Sequence, residues 1–121
     1  MNASRRGITI AALPGIVMLA LYYSLVIHMH QSLGTWPTSI GERGFPSALV
    51  THCAIAVNFY GGLFLSMCVL PVLILVCLLV ERWRRFGRGF GVYFLVYAGF
   101  LVLCFMLMQI APGQFLYWWW D

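Results

Sequence analysis

The sequence predicts an all-α integral membrane protein with three transmembrane helices, on three observations. Hydrophobic residues make up 63% of the 121 residues and charged residues only 8%, against about 25% charged in a soluble domain. Mean hydropathy is +0.92. The stretches 8–27, 53–80 and 89–108 carry no Asp, Glu, Lys or Arg, and each supplies the roughly 20 helical residues that cross a hydrocarbon core of about 30 Å. Three spans and two connections use nearly the whole length, so residues 1–121 are read as one membrane domain.

The first span is expected over about 8–30. Ser4-Arg5-Arg6-Gly7 ahead of an apolar run superficially resembles a twin-arginine export signal, but the run is long for a signal core and no small-x-small cleavage site follows before Trp36-Pro37. Pro14-Gly15 should kink this helix or mark its true first turn. Gly7, Ala11 and Gly15 recur every four residues, a ridge that lets a neighbouring helix approach closely. Residues 31–50 hold Gly34, Gly41 and Gly44, two prolines, and the apolar Trp36, Ile40 and Phe45. They read as a turn-rich outer loop, compact enough to act as a lid.

The second span is expected over about 50–80, kinked or tilted, with Pro46 in the first turn of its helix. The apolar run 47–80 is too long for one straight crossing, and Gly61-Gly62 and Pro71 are the candidate bends or breaks. Ser47, Thr51, Ala54, Asn58, Gly61 and Leu65 fall at spacings of three and four. They form a small and polar seam, read first as packing against another span of the chain and second as the lining of a path. The third span is expected over about 89–111, ended by Pro112-Gly113. After it, Tyr117-Trp118-Trp119-Trp120 reads as an interfacial aromatic anchor, with Trp118, Trp119 and Trp120 at headgroup level.

Charge position sets the orientation. All seven basic residues are arginines, against three acids. Arg5 and Arg6 precede the first span, and Arg82, Arg84, Arg85 and Arg88 form a basic hinge between the second and third. Basic residues favour short cytoplasmic segments. The expected topology is therefore N-in/C-out in the plasma (cell inner) membrane, multi-pass, with the loop and the C-terminal tail outside. Arginines that border spans argue against nucleic acid as a partner. The interleaved Arg82-Trp83-Arg84-Arg85-Phe86 also suits anionic lipid headgroups or an acidic cytosolic partner, although topogenesis alone explains the charges.

One polar constellation stands out. His28, His30, His52, Asn58 and Gln109 all fall near the outer span ends in this topology, with Glu42 and Arg43 in the loop above them. Polar side chains within spans are costly unless partnered. His28 and His30 point about 200° apart on a helix, so they do not share one ligand, but one of them and His52 could meet across two spans. Such a pair is a candidate haem site, and a single imidazole could hold a chlorin or a metal. The plain alternative is interfacial histidines bonded to loop backbone, Glu42 or water.

Ser24 and His28, one turn apart, give a serine and a possible base without an acidic orienter, and no hydrolase, zinc or phosphate-loop motif occurs. Cys53, Cys68, Cys77 and Cys104 show no C-x-x-C and read as small core residues. No metal site is expected from these spacings. The leading functional expectation is a non-catalytic accessory, assembly or structural subunit, paired with other membrane subunits or with itself. The alternatives are a haem- or pigment-binding electron-transfer subunit using His28, His30 or His52, and a small oligomeric pore lined by Ser47, Thr51 and Asn58.

Overall fold

A computed structural model describes residues 4–37 and 41–121. Ile40, one of the three apolar residues expected in the lid, lies outside the described residues. Every regular element among the described residues is a helix: α1 Arg5–Leu33, α2 Ser47–Leu79, a 3₁₀ turn Glu81–Trp83, α3 Arg84–Met108 and α4 Gly113–Trp120. The first three α-helices are each long and apolar enough to cross a membrane. They run up, down and up, so α1 and α3 are parallel: Ser4 bonds Tyr93, and Tyr22 bonds Met108. One end of the bundle holds α4 and the described residues of the α1–α2 connection, 34–37 and 41–46; the other holds the N-terminus of α1 and the α2–α3 hinge.

Each helix boundary has a local cause, and several differ from the sequence expectation. α1 starts at Arg5, because Ser4 is its N-cap and its hydroxyl accepts the Gly7 N–H at 3.0 Å. Pro14 therefore sits inside the helix and does not mark its first turn. Gly34 closes it with φ of 66° and an N–H bonded to His30 O at 2.9 Å, the left-handed geometry that glycine adopts without strain. Pro46 is the N-cap of α2, just ahead of its first turn, and its carbonyl accepts Leu49 N–H and Val50 N–H.

α2 continues unbroken through Gly61-Gly62 and Pro71 for 33 residues, about 50 Å at 1.5 Å per residue. Neither candidate position breaks the helix, because glycine and proline are tolerated inside a long apolar helix whose other backbone bonds are kept within the segment. The hinge is shorter than expected. Arg84, Arg85 and Arg88 already belong to α3, and only Glu81–Trp83 turns the chain. α3 also ends earlier, at Met108, and Pro112 serves as the N-cap of α4.

The core lies toward the loop end. Tyr22, Leu25 and Met29 of α1, Leu49 and Cys53 of α2, Met108 of α3 and Phe115 of α4 are essentially buried. Their spacings of three and four within α1 and α2 are those of a helix with one packed stripe. The small ridge of α1 faces α3. A Cβ at Gly15 would stand 3.3 Å from Cys104 Sγ and 3.4 Å from the Phe100 carbonyl oxygen, and one at Gly7 would run into the Tyr93 ring. Two phenols from α1 also finish the end of α3. Tyr22 donates to Met108 O at 3.2 Å and Tyr23 donates to Leu107 O, adding to the tight-turn bonds from Ala111 N–H and Ile110 N–H that these last-turn carbonyls accept.

The α2 seam is the main correction. Ser47, Thr51, Ala54, Asn58, Gly61 and Leu65 are all exposed, so the seam does not pack against the first or third span. α2 buries the stripe Leu49, Cys53 and Ala56 instead. The spacing rule located a face correctly but could not say which way it points, because larger apolar residues compete for the interior.

Candidate functional site

Of the seven residues in the expected polar constellation, two meet. His28 on α1 and His52 on α2 face each other, with Nδ1 to Nδ1 at 2.8 Å and ring planes inclined by 33°. On the far side of His52, Nε2 stands 3.0 Å from Ser24 Oγ, and the Ser24 hydroxyl lies 2.9 Å from the Leu21 carbonyl. The roles in this chain follow from counting protons. Ser24 has one O–H, which it donates to Leu21 O, so it accepts from His52 Nε2–H. His52 Nδ1 is then the acceptor, and His28 donates from Nδ1. A polar thread thus joins α1 to α2, with the serine one turn from His28 bonded to the other histidine.

His30 takes no part. As the helical spacing requires, it points away from His28, and it stacks on Trp36 with ring centroids 4.7 Å apart. Asn58 returns its amide N–H to Ala54 O of its own helix at 2.7 Å, and Gln109 does the same to Phe105 O at 3.5 Å. Glu42 and Arg43 are exposed in the loop. Shared depth therefore does not become a shared site for these five residues.

The His28 and His52 Nδ1 atoms as placed share a hydrogen bond at 2.8 Å. A metal between two imidazoles needs their nitrogens about 4 Å apart if opposed, at about 2 Å per bond. Among the described residues no group of three or more His, Cys, Asp or Glu comes together to hold a metal ion.

The C-terminal tryptophans are built into the bundle more than the sequence suggested. α4 turns back over the loop end, burying Phe115 and partly burying Trp118 and Trp119, while Trp120 is 45% exposed. Tyr22 meets Phe115 and Trp119 edge to face at 5.2 and 5.3 Å. Trp118 packs on Phe45, and its Nε1–H donates to Gly41 O at 3.1 Å. The described part of the loop is thereby tied to α4. Sequence reasoning missed this clasp, although the i, i+3 and i+4 spacing of Phe115, Trp118 and Trp119 carries it. It also missed the short contact of the Ser66 hydroxyl with the Tyr97 hydroxyl between α2 and α3.

Among the surfaces that the fold leaves open, two carry small or polar residues. One is the α2 face, where a Cβ added at Gly61 or Gly62 would meet nothing within 4 Å. The other is the basic hinge. Comparison with protein-family models, curated proteins and solved structures gives no match to this chain.

Proposed function

We propose that this chain is a non-catalytic membrane subunit that acts through helix–helix association, with α2 as the contacting helix. One observation carries the reading: the small and polar face of α2 is exposed, and none of that helix's most apolar 18-residue stretch is buried in the bundle. Between helices in lipid there is no hydrophobic drive, so association depends on close backbone approach and interhelical hydrogen bonds. Gly61, Gly62 and Ala54 permit the approach. Asn58 and Thr51 supply polar groups whose internal bonds are only to their own helix.

The proposed setting is N-in/C-out in the plasma membrane. Arg5, Arg6 and the hinge arginines collect at one end of the bundle, as the basic-residue bias requires of a cytoplasmic face. The competing pore reading uses the same α2 face. Native electrophoresis of gently solubilised membranes tests the proposal, with subunit composition read by mass spectrometry. A discrete complex containing this chain is expected, and migration only as the 13.7 kDa protomer would refute it. Solute flux through tight proteoliposomes would select the pore instead.

A further inference from the structure

The structure brings Arg84, Arg85 and Arg88 of α3 around one open cleft at the hinge, of about 590 Å³, with Glu81 the only acidic residue lining it. We infer that this cleft is a binding site for the phosphate headgroup of an anionic phospholipid. The sequence alone offered a run of arginines explained by topogenesis. The fold adds an open concavity that gathers three of those arginines, at a hinge with exposed apolar residues.

The cleft stands on a rigid support. Gly87 is buried against α2, where an added Cβ would lie 3.1 Å from Cys77 Cβ and 3.2 Å from a Leu78 methyl carbon, so the α2–α3 hairpin closes tightly just behind the arginines. Arg84 donates from Nε to Leu78 O at 3.2 Å, which leaves its terminal nitrogens for a ligand. Guanidinium is suited to this task, since its planar fork takes two phosphate oxygens at once and it gives up hydration more readily than ammonium. Lysine is absent from the chain, so all seven of its Lys/Arg positions are arginine.

Depth favours a lipid over a soluble anion. Trp83 at the turn is exposed, and Phe86 and Phe90 pair at 4.9 Å with tilted rings, also exposed, on the face of α3 turned away from Arg84 and Arg88. Leu79 and Val80 lie exposed at the adjoining end of α2. Exposed apolar residues at the hinge, level with three guanidinium groups, match a molecule with acyl chains on one side and a phosphate on the other. Glu81 opposes a multiply charged ligand, which favours a phosphodiester headgroup with spaced charges over a compact polyanion.

The test uses full-length protein in nanodiscs of phosphatidylcholine with a minority of phosphatidylglycerol or cardiolipin, and native mass spectrometry of the lipid retained. Selective retention of the anionic lipid is expected, weakened roughly fivefold for each arginine replaced by glutamine. Arg85→Gln/Arg88→Gln leaves the Arg84 bond to Leu78 intact and controls for hinge damage. Arg5→Gln/Arg6→Gln removes equal charge from the same end outside the cleft and should retain lipid as the unaltered chain does. Equal losses from both double variants would overturn the assignment, leaving only diffuse surface charge. Full displacement by inorganic phosphate would also overturn it, making the site one for a soluble anion, and so would retention without preference for anionic lipid.

Discussion

Glycines on two faces of the bundle should respond oppositely to the same substitution. At Gly15 a Cβ already meets Cys104 Sγ at 3.3 Å and the Phe100 backbone at 3.4 and 3.5 Å, so Gly15→Leu drives four carbons into the α1–α3 contact. Overpacking of this kind costs about 1–3 kcal/mol, and the protomer should unfold at lower denaturant. At Gly61 no atom lies within 4 Å. Gly61→Leu should leave the protomer intact or stabilise it by up to about 1 kcal/mol through helix propensity.

If α2 is the associating helix, however, the leucine side chain blocks close approach of the neighbour. A penalty of about 2–3 kcal/mol corresponds to roughly 30- to 150-fold weaker association. Unfolding in mixed micelles reads the first effect and native electrophoresis over a dilution series reads the second. A Gly61→Leu protein that assembles as the unaltered chain does would refute the α2 assignment. Loss of the folded protomer itself would refute the placement of Gly61 on an open face.

The polar thread predicts measurable coupling: in a cycle of His28→Ala and His52→Ala the two should interact by about 0.6 kcal/mol and at most about 1.7 kcal/mol, the range for hydrogen bonds between membrane helices, and strictly additive unfolding energies would remove the bond. Tyr22→Phe keeps the aromatic contacts but removes one of the two donors to Met108 O, leaving Ala111 N–H, costing about 1 kcal/mol; an unchanged unfolding midpoint would mean that the phenol bond adds nothing to stability. Phe115→Ala opens the α4 clasp, and its buried ring predicts a loss of about 3 kcal/mol or more, together with faster proteolysis of the tail. In a chain freed of its native cysteines, a cysteine at Gly41 should react with an impermeant thiol reagent from outside and one at the exposed Trp83 should not; the reverse labelling would invert the proposed orientation.

Much of the fold is legible in the sequence because the signals are long and local. Three charge-free stretches announce three long helices, and Gly34 and Pro46 carry the ends of the connection between them. The hinge is harder to read because arginine suggests a loop by polarity, whereas it is a good helix former that can occupy the first turns of α3. The candidate site is half legible. Helical geometry separates His28 from His30, but which of them meets His52 depends on how α1 is rotated about its own axis against α2. No periodicity within α1 fixes that rotation, and the spacing that pairs Ser24 with its helical neighbour His28 hides its real partner on the other helix.

By itself, then, the sequence determined the apolar character of the chain, the number of helices long and apolar enough to cross a membrane and the end of the bundle that gathers positive charge, since each follows from composition along a single segment. Only the tertiary structure decided which face of α2 turns outward, which histidines touch, and that α4 folds back as a clasp. Those outcomes depend on competition among side chains of different segments for a small shared interior, where Tyr22, Met29, Leu49 and Phe115 fill the space that the small residues of α2 do not.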